Sequence, residues 1–128
     1  MNGYSYEPSR LEILRGAVPA EAEVDDLADV FSLLGDPGRL RLLLVLREGE
    51  VSVGELAEVT GRSESGVSHA LQLLRAHRIV AVRRAGRRAF YRLDDPHVRM
   101  LLDLALSHTE HSEMEHPELH AGPRDGGS

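Results

Sequence analysis

From Pro19 onward, apolar residues recur at helical spacing, give way once to an alternating pattern, and return to helical spacing near the end. Val24, Leu27, Ala28, Phe31 and Leu34 mark one face of a first helix, which Gly35 ends. Asp36-Pro37 restarts the chain as N-cap and first helical residue, where the missing N–H of proline would have no intrahelical partner anyway. The next segment, GRLRLLLVLREG, is apolar almost all round and is expected at the centre of the core. In VSVGELAEVTG, Ser52 and Glu55 have capping-box spacing, Val53, Leu56 and Ala57 face inward, and Gly61 suits a C-terminal cap at positive φ. After a short turn, Ser63 caps a fourth helix, SESGVSHALQLLRAH. Two short helices joined by a glycine turn describe a helix-turn-helix.

The segment IVAVRRAGRRAFYRL changes period: β-branched and apolar residues flank a glycine-containing turn, and arginines crowd the tip. It reads as a β-hairpin with a cationic end. Asp95-Pro96 then opens a last helix by the same logic as Asp36-Pro37. Residues 1–18 lack a sustained period and are expected to form a flexible arm with a short helix around Leu11–Leu14. Residues 113–128, polar and rich in Gly and Pro, are expected to be a disordered tail. The folded unit is thus 19–112, mainly α with a β-hairpin: helix, helix, helix-turn-helix, wing, helix, which is a winged helix-turn-helix.

Composition narrows the chemistry. The chain has 128 residues, enough for one domain, and no cysteine, which excludes disulfides, thiolate metal sites and thiol redox sensing. No apolar run is long enough to span a bilayer, and MNGYSYEPSR lacks the order of a secretory signal, so a cytoplasmic protein with no membrane partner is expected. The formal net charge of -6 conceals an uneven distribution: all fifteen basic residues are arginine, and residues 62–92 hold eight of them against a single acid, Glu64. Such a block is either a solvated charged face or the footprint of a polyanion-binding surface.

The fourth helix favours the second reading. Val67, Ala70, Leu71 and Leu74 form a core stripe, while Ser65, Ser68, His69, Gln72 and Arg75 form the opposite one. Short hydrogen-bonding side chains on the outer face of a helix are what a recognition helix needs to approach base edges in the major groove of double-stranded DNA. The wing arginines lie just beyond, within reach of phosphates or an adjacent minor groove.

The last helix carries a second constellation. In DDPHVRMLLDLALSHTEH, an Asp-x-His stands at the front and a His-x-x-His at the back. His97 and His108 differ by only ~20° around a helix, but the helix between them spans ~16 Å, and a metal–nitrogen bond is about 2 Å. One chain therefore cannot bring both ends to one ion. The set His97, Leu101, Leu104, His108, His111 has the spacing of a coiled-coil seam. Two copies packed antiparallel about an axis near Leu102 would place Asp95 and His97 of one chain against His108 and His111 of the other. That arrangement predicts a homodimer with two equivalent metal sites. Three nitrogens and one oxygen suit tetrahedral zinc(II) or cobalt(II). Nickel(II) prefers more donors, for which the tail offers His116, His120 and Glu113. The alternatives are surface histidines that happen to lie in line, and tail histidines that are plain polar residues.

SESGVSHALQLLRAHRIVAVRRAGRRAFYRLDDPHV resembles the ArsR/SmtB family of metal-sensing transcriptional repressors, over about Val24 to His111. The resemblance implies a homodimeric winged helix, paired through its first and last helices, that binds operator DNA when metal-free and leaves it when metal binds. It places Ser65, Ser68 and His69 near the bases, Arg84, Arg87 and Arg88 on the DNA backbone, and Asp95, His97, His108 and His111 on the ligand positions of the family's fifth-helix site. It also implies that His108 donates a hydrogen bond to the backbone carbonyl of Arg78. A Cys-x-Cys site that many members carry in the segment matching VSVGELAEV is impossible here. The position of His120 resembles a tail ligand of the nickel/cobalt sensors, which places those metals ahead of zinc, although their N-terminal ligand histidine is missing from MNGY. Two other readings stay open: a metal-independent regulator of the same fold, and a metal-handling or hydrolytic protein. The second lacks a nucleophile motif or phosphate loop, so no enzyme is expected.

Overall fold

The computed structural model describes residues 6–115, with side chains as far as Glu110. The described elements run α1 (Arg10–Gly16), α2 (Glu21–Leu34), α3 (Pro37–Leu46), β1 (Val51–Ser52), α4 (Val53–Thr60), α5 (Glu64–Ala76), β2 (Val80–Ala85), β3 (Arg88–Leu93) and α6 (Pro96–Glu115). No helix among the described residues is long and apolar enough to cross a membrane.

The local signals act as their chemistry requires. The Gly35 N–H donates to the Phe31 carbonyl at 2.8 Å, and the Asp36 carboxylate then accepts from the Arg39 N–H at 2.9 Å with Pro37 at the first helical position. Leu42, Leu43 and Leu46 of α3 are wholly inaccessible and meet Leu56 of α4 and Val67, Leu71 and Leu74 of α5 in one core. Ser52 and Glu55 form a reciprocal capping box, Gly61 ends α4 at φ 70, and the Ser63 hydroxyl accepts from the Gly66 N–H at 3.1 Å. The helix-turn-helix is therefore α4 and α5. The short helix expected in the N-terminal arm is α1, which buries none of its residues.

The hairpin is one strand larger than its sequence suggests. β2 and β3 pair from Val80↔Leu93 to Ala85↔Arg88 around Gly86, which has φ 62. β1 adds to the free edge of β3 through Val51↔Tyr91 and Ser52↔Phe90, giving the order β1-β3-β2. A two-residue strand is too short to show a period of its own.

Of the stripe Val24, Leu27, Ala28, Phe31 and Leu34, only Leu34 packs against the core; Phe31 is 57% exposed, and the buried residue of α2 is Leu33. Helical spacing identifies an apolar stripe without saying what covers it. Within one subunit this stripe is uncovered, as is one face of α6.

Ser52 is the buried polar side chain on which helix and sheet meet. It is 2% exposed, its hydroxyl accepts from the Glu55 N–H at 3.1 Å, and its own N–H donates to Glu55 at 2.9 Å. Ser52→Ala is expected to lower the unfolding free energy by about 1–2 kcal/mol, measured by urea denaturation, since it orphans an amide at a buried cap. Acid should act on the same class of contact. Hydrogen bonds from the Arg39 amide to Asp36, from the Arg83 side chain to Glu50 and from the Ser52 amide to Glu55 hold these carboxyls below their ordinary values. Their stabilisation is complete above those values and is lost as pH falls through the depressed folded-state ones. The urea midpoint is expected to decline below pH 4.5, the ordinary glutamate value, and to decline less in Glu55→Gln.

Candidate nucleic-acid interface and metal seam

α5 presents the two stripes that its sequence separates. Val67, Ala70, Leu71 and Leu74 are buried, while Ser65, His69, Gln72 and Arg75 are exposed and Ser68 is half-buried. Burial of the apolar stripe fixes the rotation of the helix, so the polar stripe has to face outward. Beyond it lies a cleft between α5 and the wing, bordered by Ser68, Arg84, Arg87 and Arg88. Arginines in such a lining attract a phosphate backbone, and hydroxyls such as those of Ser65 and Ser68, with the His69 imidazole on the outer face of α5, are groups that can read base edges.

The wing arginines are not equivalent. Arg83 forms a two-pronged pair with Glu50, at 2.8–3.2 Å, and stacks 4.8 Å from the Phe90 ring centre. Arg88 lies 5.0 Å from the same ring centre and donates to the Ser52 hydroxyl at 3.4 Å. Two guanidiniums thus lie over the Phe90 ring, each contact a cation–π attraction. Arg84 and Arg87 make no ion pair among the described residues, so their charge is free for an external anion. Arg62 belongs to the same basic block but turns inward: its guanidinium packs on Gly38, where an added Cβ would lie 1.8 Å from Nη1.

α6 divides its faces between two surroundings. Val98 and Leu102 enter the subunit core, and Arg47 pairs with Asp103 at 2.7 Å while the Arg99 guanidinium donates to the Arg47 carbonyl at 3.1 Å. These contacts turn the seam outward: Leu104 is 66% exposed and the His97 side chain 88%. Leu101 is also exposed, and it borders an apolar groove with Phe31, Leu34 and Leu40. Leu102, near which the two-fold axis is expected, points into the core.

The front pair of candidate ligands is assembled. Asp95 caps α6, its Oδ1 accepting from the His97 N–H at 2.8 Å and the Val98 N–H at 3.3 Å. The His97 Nδ1 stands 3.6 Å from that oxygen. Two donors at about 2 Å from one tetrahedral ion lie roughly 3.3 Å apart, so the pair fits a shared ion with a small adjustment. His108 is exposed on the same side of α6, and His111 follows on the described backbone. No three histidines or carboxylates among the described residues gather within one chain closely enough to hold a metal. The side chains of His111 and Glu113, and all of His116 and His120, lie outside the described residues.

Arg78, the expected partner of His108, has a left-handed backbone at φ 60. The Ile79 N–H donates to the Leu74 carbonyl at 3.0 Å, closing the end of α5, and both side chains are buried in the core. No hydrogen bond joins His108 to Arg78 among the described residues. Sequence reasoning missed Glu50, Phe90 and Ser52 as the groups that organise the wing. The aromatic two residues after Arg88 was a usable signal; the reach of Glu50 across 33 residues was not.

Comparison with known proteins agrees with this architecture. The family model described as bacterial regulatory protein, arsR family, matches residues 36–82, which hold α3, α4 and α5. A transcriptional repressor SmtB homolog from Synechocystis is 41% identical over 106 residues, covering 80% of each chain. The HTH-type transcriptional regulator NmtR from Mycobacterium tuberculosis is 39% identical over 112 residues, covering 87% of this chain and 88% of that protein. The homodimeric winged helix-turn-helix DNA-binding domain of a possible ArsR-family regulator from Mycobacterium bovis superposes with a TM-score of 0.66 at 34% identity, over 73% of this chain and 87% of that one. With a recognition helix, a cationic wing and relatives of this similarity along most of its length, the chain belongs to the arsR family of bacterial regulatory proteins.

Proposed function

We propose that the protein is a metal-responsive transcriptional repressor, a homodimer in the cytoplasm that binds operator DNA when metal-free and releases it when nickel(II)/cobalt(II), or alternatively zinc(II), binds two inter-subunit sites. The observation that carries the reading is the outward line of Asp95 and His97 at one end of α6 and His108 at the other, with exposed Leu101 and Leu104 between them. Relatives named for a metal response include a cadmium resistance regulatory protein, a CadC homolog.

The apolar seam and the uncovered stripe of α2 are the surfaces that a second copy would bury. Antiparallel pairing brings Asp95 and His97 of one chain to His108 and His111 of its partner, completing a donor set that neither chain holds alone. Two further donors from Glu113, His116 or His120 would suit nickel better than zinc. On the DNA side, Ser65, Ser68, His69, Gln72 and Arg75 face the major groove, with Arg84, Arg87 and Arg88 on phosphates. Coupling runs through the end of α5. A ligating histidine donates its second ring N–H to a nearby acceptor, and the Arg78 carbonyl serves His108 in that role. Locking α6 then turns the recognition helices away from the half-site spacing, with a coupling of about 1–3 kcal/mol, roughly 5–150-fold in affinity.

The test is a metal titration of the dimer on DNA from its own promoter, read by fluorescence anisotropy. Nickel, cobalt or zinc should weaken binding and a chelator restore it, whereas His108→Asn should bind DNA normally and ignore metal. A His108→Asn protein that still releases DNA on metal addition contradicts the proposal, and a wild type indifferent to every metal and to chelator is a metal-independent regulator. Strong visible bands in the cobalt form would give a tetrahedral site, weak ones an octahedral site that includes the tail. The wing yields a separate expectation. Arg87→Ala, which removes one phosphate contact from each subunit, should flatten the slope of log affinity against log salt by about 2 for the dimer, whereas Arg83→Ala, its charge already matched by Glu50, should change the slope less.

A further inference from the structure

Glu64 is the one acid in the arginine block of residues 62–92. It is the first residue of α5, exposed, and one turn before Ser68 on the flank that faces the wing. Both residues line the cleft closed by Arg84, Arg87 and Arg88. Its carboxylate nevertheless makes no ion pair among the described residues. One oxygen, Oε2, reaches within 3.6 Å of where a Cβ on Gly54 would sit, beside the first turn of α4. The side chain thus lines the same cleft as the wing arginines, against the first turn of α4.

A carboxylate at that place repels phosphate and carries only acceptors, so it tolerates DNA only where the duplex offers a donor. In the major groove the donors are the exocyclic amino groups of cytosine and adenine. Adenine sets its N7 acceptor beside that amino group, which opposes the second carboxylate oxygen; cytosine has a carbon there. We propose that Glu64 is a specificity-determining residue that accepts a hydrogen bond from cytosine N4 at one position of each operator half-site, a proposal that rests on the DNA-binding reading of α5. Thymine at that position presents an acceptor and guanine presents two, so both are rejected by repulsion as well as by loss of the bond. Discrimination against the wrong base is expected at about 5- to 150-fold.

The geometry yields a change of preference as well as a loss. Glu64→Gln keeps the shape but supplies a donor and an acceptor together, the pattern that pairs with adenine N6 and N7. Selection of bound duplexes from a randomised pool, with the metal-free wild-type dimer, Glu64→Gln and Glu64→Ala, tests this. Wild type should enrich a palindrome with cytosine at one symmetric position, Glu64→Gln should replace that cytosine by adenine, and Glu64→Ala should accept any base there. The same base preferences in all three proteins, or a uniform gain of affinity across all sequences, would overturn the role of Glu64 while leaving DNA binding intact. A wild type that enriches no sequence would overturn both readings together.

Discussion

With Val98 and Leu102 buried among the leucines of the helical core, α6 is not free to rotate about its axis. The flank roughly 110° round the helix, carrying His97, Leu101, Leu104 and His108, is thereby committed to the outside of the subunit. The Arg47–Asp103 pair and the Arg99 hydrogen bond to the Arg47 carbonyl hold the same orientation from the polar flank. Burying a Val or Leu side chain is worth roughly 1.5–3 kcal/mol, more than an exposed ion pair contributes, so the apolar contacts set the rotation and the ion pair refines it. Everything proposed for the histidines follows from that rotation. A helix turned by roughly a third of a circle would take Val98 and Leu102 out of the core and bring the imidazoles into it.

A comparable division of labour organises the wing. The number of arginines matters less than which of them are already engaged. Glu50 neutralises Arg83, the Phe90 ring engages both Arg83 and Arg88, and Ser52 links Arg88 to the cap of α4. The remaining cations, Arg84 and Arg87, border the cleft beside the recognition helix. A chain of net charge -6 can thus present a local positive surface, because Coulomb attraction is screened within about a Debye length of ~8–10 Å in physiological salt. The acidic flanks are arranged elsewhere in the sequence and carry less weight at the cleft than its own lining.

Much of the fold was legible without coordinates, because its signals act within one turn of chain. Gly35 before Asp36-Pro37, the Ser52–Glu55 box, Gly61 at φ 70 and the Ser63 cap are contacts between residues at most four apart. The same holds for the stripes of α5 and for the in-line placement of His97 and His108, which need only the pitch of a helix. The strand β1, the Glu50–Arg83 pair and the inward turn of Arg62 onto Gly38 were not legible, since each depends on where a distant segment arrives.

The α2 stripe shows where the two kinds of information part. Its period states that Val24, Leu27 and Phe31 share a face, yet only the packed subunit reveals that Leu33 is buried and that face is left open. By itself the sequence determined the order of elements, their caps, the two faces of the recognition helix and the shared side of the histidines, all consequences of short-range backbone geometry. Tertiary packing alone decided which apolar stripes are covered, which arginines are free and which way α6 turns. Those depend on competition among side chains for one core, a quantity that no local pattern contains.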